Sequence, residues 1–127
     1  MPETGSMNRA LASAVVRSHR EHVGRGPTKA RSLFRDNVVV VVMQQTLTHD
    51  ERGMVARGRG NDVLDGRRDS GSAMRAGLID EIEALTGCKV VAFLNASQID
   101  PDYSADVFVL DRPVPGGAPH SGLGPPL

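Results

Sequence analysis

The chain has 127 residues, with 15 basic and 15 acidic side chains, three Phe, one Tyr and no Trp. That length fits one domain, whose core must be built mainly from Val, Leu, Ile, Met and Ala. The single cysteine, Cys88, excludes an internal disulfide and fits a reducing compartment, and no apolar stretch reaches signal-peptide or transmembrane length, so a cytoplasmic protein is the expectation.

Residues 1–8 are polar and read as a flexible leader, and 9–111 as the single folded domain. The first helix is expected from about Arg9 to Val23, with Leu11, Val15, Ser18 and His22 on one stripe and Gly24 as its stop. Gly24-Arg25-Gly26-Pro27 follows. Its turn chemistry suits a tight helix-to-strand connector, and two glycines beside Arg25 also suit a backbone nest for an anion. The Gly-x-Gly lacks the strand-then-helix setting of a phosphate loop.

Lys29–Arg35 reads as a strand, and Asp36-Asn37 as a two-residue turn into Val38-Val39-Val40-Val41-Val42-Met43. Five β-branched residues in succession favour extended backbone, and their apolar character on both sides of the pleat marks the central strand of a sheet. The strand is expected to continue through Gln44 and Gln45 to Thr48. Thr48-His49-Asp50-Glu51 is a capping box, so its carboxylates are helix-start chemistry before they are catalytic candidates.

A helix is expected from Asp50 to about Arg57. Gly53, Gly58, Gly60 and Gly66 then argue for a loop with one helical turn near Val63, since each glycine costs a helix about 1 kcal/mol relative to Ala. A third helix from about Ser72 to Thr86 would bury Met74, Leu78, Ile82 and Leu85 and end at Gly87. Lys89–Leu94 and Ala105–Leu110 complete the strands, joined by a loop holding Asp100-Pro101-Asp102. Residues 112–127 contain five of the eight prolines and four glycines, and read as a disordered tail. The order α-β-β-α-α-β-β gives an α+β fold: a two-layer sandwich of a four-stranded antiparallel sheet with helices mainly on one face.

Candidate chemistry is sparse. His19 and His22 could share a helix face, but no Cys/His cluster completes a metal site; Asp100, Asp102 and Asp106 lack the spacing of a calcium loop. Cys88 reads as a small buried apolar residue rather than a nucleophile. No P-loop, dinucleotide fingerprint or Ser-His-Asp order is present, so no catalytic residue, metal ligand or cofactor is assigned. Residues 7–69 carry 12 basic and 7 acidic side chains against 3 and 7 in 70–127. Arg25, Lys29, Arg31 and the Arg52–Arg68 segment could contact nucleic acid, an alternative that the absence of aromatic stacking residues there argues against. A small enzyme around His49, Asp50 and Cys88 is another alternative.

Several landmarks together resemble the MpsC-like family. They are Gly24-Arg25-Gly26-Pro27 after the first helix, the apolar strand ending in Leu47-Thr48 before Glu51, and Arg67. Further on come Ile82-Glu83-Ala84-Leu85-Thr86-Gly87-Cys88-Lys89-Val90-Val91, and Ile99-Asp100-Pro101-Asp102 before Val107-Phe108-Val109-Leu110. The resemblance covers about residues 9–111. It implies a non-enzymatic accessory or regulatory subunit of a membrane system for sodium translocation, membrane-potential generation or inorganic-carbon uptake, with membrane transport subunits as partners. It also implies a site at the inner face of the membrane without insertion. It brings no catalytic residues, cofactor or metal, and leaves Gly24, Arg25, Gly26, Pro27 and Arg67 as the candidate anion or partner surface. The two-sided apolar strand adds one more expectation, a homodimer through the sheet face or the edge near the second strand.

Overall fold

The computed structural model describes residues 4–24, 26–27 and 29–115. Its elements are α1 (Thr4–Val23), β1 (Lys29–Arg35), β2 (Val38–Gln44), α2 (His49–Ala56), α3 (Gly60–Thr86), β3 (Val90–Gln98) and β4 (Tyr103–Leu110). The expected order α-β-β-α-α-β-β is present, and all strand pairs are antiparallel. The sheet order is β1-β2-β4-β3, so the valine strand β2 is central, as its two apolar sides require. Each hairpin contributes its second strand to the middle of the sheet.

α1 and α3 lie side by side on one face, α1 over β1 and β2 and α3 over β3. Exposed Arg17 of α1 donates to Glu81 of α3 at 2.7 Å. Alternation along β2 sends Val39, Val41 and Met43 into the core beneath them. Phe108 and Leu110 of β4 and Phe93 of β3 join this layer, with the Phe93 and Phe108 rings stacked at 5.0 Å. Leu11 and Val15 of α1 and Met74, Leu78 and Ile82 of α3 close it from above.

Several boundaries differ from expectation, each for a packing reason. α1 begins at Thr4, inside the expected leader, because Met7 sits four residues before Leu11 on the buried stripe. That stripe runs Met7, Leu11, Val15, His19, and His22 is exposed. Gly60–Thr86 is one helix of 27 residues, not a loop followed by a shorter helix. Its buried positions are Val63, Arg67, Gly71, Met74, Leu78, Ile82 and Thr86. They repeat every three or four residues without a break, so tertiary packing outweighs the glycine penalty. Leu85 is partly exposed rather than buried. β2 stops at Gln44, because Gln45 takes a positive φ of 58° and the chain turns toward Asp102.

At the other end of the sheet the Asp36-Asn37 turn forms as expected, with Asp36 at φ 53°. Asn37 is buried and its Nδ2 donates to the Leu110 carbonyl at 3.0 Å. Of the expected tail, residues 112–115 are described and fold onto this turn. The Val114 amide donates to the Asp36 carbonyl, and the Val114 side chain is in the core. Residues 1–3 and 116–127 lie outside the described residues.

Candidate functional site

The densest polar cluster lies where β2 ends. The Asp102 carboxylate receives the amides of Thr46 at 3.1 Å and Leu47 at 2.9 Å, and the Thr46 hydroxyl at 3.0 Å. A carboxylate gathering three donors fixes a sharp backbone turn in place. Two residues on, the capping box forms as its pattern demands. The Glu51 amide donates to Thr48 Oγ1 at 3.1 Å, and the Thr48 amide donates to Glu51 Oε1 at 2.9 Å.

Arg67 enters this cluster from α3 and is only 6 % exposed. Its Nε donates to Glu51 Oε2 at 2.8 Å and its Nη2 to Glu51 Oε1 at 2.7 Å, the bidentate match of guanidinium to carboxylate. Nη1 donates to Thr46 Oγ1 and Nη2 to the Thr46 carbonyl. Burial pushes the Glu51 carboxyl up, but the Arg67 bonds, the Thr48 donors and the Arg67 charge together hold it below its ordinary value. The cluster thus ties α2, α3, the β2 exit and the β3–β4 turn together. A cavity of about 220 Å³ adjoins it, lined in part by Arg67, Arg68, Asn95 and Ser97. The Arg67 charge facing it is already matched by Glu51.

The other proposed site residues lie elsewhere. Gly24 ends α1 with a φ of 90°, its amide donating to the Arg20 carbonyl. Gly26 lies under the Arg20 guanidinium, 3.2 Å from where a Cβ would sit. Pro27 leads toward β1, and Arg25 lies outside the described residues. Arg67 directs its bonds to Thr46 and Glu51, not to this connector.

The alternatives are also separated by the fold. His49 and Asp50 are exposed at the start of α2, beyond the Gln44 end of β2. Cys88 is buried at the Val90 end of β3, the opposite end of the sheet, with its Sγ toward the carbonyls of Thr86 and Pro113. His19 Nε2 is 3.4 Å from Asp106 Oδ2, both buried between α1 and the sheet. Asp102 is spent on the turn, so the three aspartates do not converge. Among the described residues no group of three or more His, Cys, Asp or Glu is placed to hold a metal ion. The segment expected to be a basic loop is helical from Gly60 on, and Arg59 and Arg68 pair with Asp62 and Asp65 three residues away.

Sequence reasoning named Arg67 as a candidate and Glu51 as a helix cap but not their pairing. It considered His19, Asp102 and Asp106 as metal ligands without the bonds of Asp102 to Thr46 or the approach of His19 to Asp106. Arg67 recurs in the buried stripe of α3, four residues after Val63 and four before Gly71, and that spacing was the available signal. Asp102 had none, because an Asp-Pro-Asp run is ordinary turn chemistry wherever it occurs.

Among the described residues no helix is long and apolar enough to cross a membrane. No curated protein and no solved structure matches the chain. The family model described as "Na+-translocating membrane potential-generating system (MpsC)" matches residues 3–112, a span that takes in all seven elements and the whole Arg67 cluster. The chain belongs to the MpsC family.

Proposed function

We propose that the chain is a non-enzymatic accessory or regulatory subunit of a membrane system that translocates sodium and generates a membrane potential, acting at the inner face of the membrane on subunits embedded in it. The observation that carries this reading is the family match over the whole folded region. The use of the polar groups supports it. Arg67, Glu51 and Asp102 spend their hydrogen bonds on one another and on the backbone. Such a saturated network holds a surface in shape for a partner and has no idle acid, base or nucleophile.

Removal of the chain from cells with a sodium-dependent membrane potential tests this, with the potential read by a fluorescent dye in the presence and absence of sodium. Loss of the sodium-dependent part, restored by the wild-type chain, is expected. Recovery of membrane-embedded transport subunits on a tagged chain is expected alongside it. An unchanged potential would overturn the reading. The combined variant His49→Ala, Asp50→Ala, Cys88→Ser should restore the potential fully; a correctly folded variant that fails would point to an enzyme instead.

A further inference from the structure

The two edges of the sheet, β1 and β3, are finished differently. The β3 ladder is bulged between Val90 and Ala92, and α3 side chains occupy its backbone. Glu83 accepts from the Val90 amide at 2.9 Å, and Arg75 donates to the Phe93 carbonyl at 3.3 Å with its guanidinium over the Phe93 ring. A bulge and charged side chains of this kind keep other strands off an edge. The β1 backbone has no such cover. Its two-residue turn makes the flanking Arg35 and Val38 a pair that exchanges both backbone hydrogen bonds, and bonded pairs alternate from there. The amides and carbonyls of Leu33 and Arg31 therefore point to β2, and those of Ser32 and Ala30 point outward. Among the described residues nothing bonds to these outward groups. Two depressions meet on this edge at Ala30. One, of about 490 Å³, is lined in part by Lys29, Arg31, Val42 and Tyr103 of the open sheet face. The other, of about 480 Å³, lies on the helix side and is lined in part by Arg9, Ala12, Val16 and Arg20 of α1. No residue lining either is acidic. Arg17, beside the second, is matched by Glu81, and Arg9 donates to the Ser6 hydroxyl. Lys29, Arg31 and Arg20 form no ion pair with a described residue.

We propose that an extended acidic segment of a partner protein adds to β1 as a fifth, antiparallel strand. Strand addition draws its affinity from the main-chain groups of an open edge and its specificity from pockets for alternate side chains. Both are present here. Side chains of the added strand fall alternately on the two faces of the sheet, and so into the two depressions. Those on the open face meet Lys29 and Arg31 and are carboxylates. Those on the helix side meet Ala12 and Val16 between Arg9 and Arg20 and are short and aliphatic. The cations exclude a second copy, because pairing two β1 strands antiparallel in one sheet puts Lys29 and Arg31 of both on one face. The β3 edge of a second copy is closed by Glu83 and Arg75. The chain's own residues 116–127 have no acidic side chain and three prolines, which cannot donate to a ladder. A nucleic acid or an anionic lipid surface would answer the charge but not the outward amides and carbonyls of Ala30 and Ser32. The inference does not rest on the transport reading.

The test uses the full chain and a fluorescein-labelled, end-capped peptide of alternating glutamate and valine, with binding read by fluorescence anisotropy. Saturable binding that weakens with added salt is expected. With glutamates on the open face of an antiparallel strand, the valine amides point to β1 and the glutamate amides to solvent. Methylating the valine nitrogens of the probe should therefore weaken binding at least about tenfold, and methylating the glutamate nitrogens should leave it nearly unchanged. The double variant Lys29→Glu, Arg31→Glu should lose the probe by a similar factor and take up a lysine–valine peptide instead. Ser32→Pro, which removes an outward amide but no bond to β2, should also lose the probe while the circular dichroism spectrum is kept. The inference is overturned by a wild type that does not bind the probe, by any other pattern of methylation effects, or by a charge-reversed variant that keeps its preference for glutamate. Tighter binding of oligothymidylate or phosphatidylglycerol vesicles than of the probe would overturn it and assign the cations to that ligand. A wild-type dimer in sedimentation equilibrium that Ser32→Pro dissociates would overturn it and assign the edge to a second copy.

Discussion

Alternate residues of the same two strands meet opposite surroundings. Val39, Val41 and Met43 of β2 face the helices and are fully buried, together with Ser104, Asp106 and Phe108 of β4. Val38, Val40 and Val42, with Ala105, Val107 and Val109, face away from every helix. A sheet with one solvated face normally alternates apolar with polar residues. Here Ser104 and Asp106 lie on the covered side, while Val38, Val40, Val42, Val107 and Val109 lie on the open side. Polar side chains sit where the helices and the β2 exit can satisfy them: Asp106 meets His19, and Ser104 meets Thr46 and Ser97. The open side follows the rule of an interior, which separates the choice of residue from exposure in one isolated copy.

The largest expected effect lies on the covered side. Arg67→Met removes the partner of the Glu51 carboxylate and leaves the Thr46 carbonyl without its charged donor, at a cost of about 3 kcal/mol in urea unfolding. The double variant with Glu51→Gln should recover part of that loss, because no unpaired charge remains. A paired comparison sharpens the contrast between the faces. Val41→Ala leaves a cavity under the helices and should cost about 2 kcal/mol, whereas Val40→Ala should cost less than about 1 kcal/mol in dilute protein. Equal losses at the two positions would erase the distinction.

α3 repeats the contrast on a smaller scale. A Cβ at Gly66 meets nothing within 4 Å, so Gly66→Ala should raise stability by about 1 kcal/mol. A Cβ at Gly71 would lie 2.0 Å from Asn95 Nδ2 and 2.9 Å from Asn95 Cγ, so Gly71→Ala should give no such gain until Asn95→Ala is added. Thermal unfolding of the two single variants and the double variant measures this coupling. The smallest expected effect is with pH. The folded Glu51 carboxyl is held below its ordinary value of 4.5, so the unfolded chain takes up the proton first on acidification. The stability contributed by this carboxylate is therefore full above that value and is lost as pH falls through the lower folded one. The gap between wild type and Glu51→Gln in urea titrations should narrow over that range; a gap that widens on acidification contradicts the assignment.

The order of elements, the antiparallel sheet, the central position of β2 and the capping box were legible because each rests on local signals: β-branched runs, turn residues and a Thr-x-x-Glu spacing. The 27-residue helix was not, because Gly60 and Gly66 argue for a loop and the buried stripe passes through Arg67 and Gly71, which give no apolar signal. Only the tertiary partners explain them, a carboxylate for the arginine and the Asn95 side chain for the glycine. The candidate site was legible in part for the same reason. Glu51 and Arg67 are 16 residues apart in the chain and Thr46 and Asp102 are 56 apart, and no local pattern couples such positions. Val114 lay hidden among prolines whose composition argued against any core residue there.

The placement of β2 beside β4 has a consequence for how the molecule assembles. Each hairpin can close locally, around Asp36-Asn37 or across residues 99–102, but the seam between them joins Val38 to Val109 and Gln44 to Tyr103. The chain between Gln44 and Tyr103 includes both α2 and α3, so closing this seam carries the entropy of a long loop and waits on the helices that cover it. The middle of the sheet is therefore the last part to form and, once formed, the part whose amides exchange with solvent only when the whole fold opens.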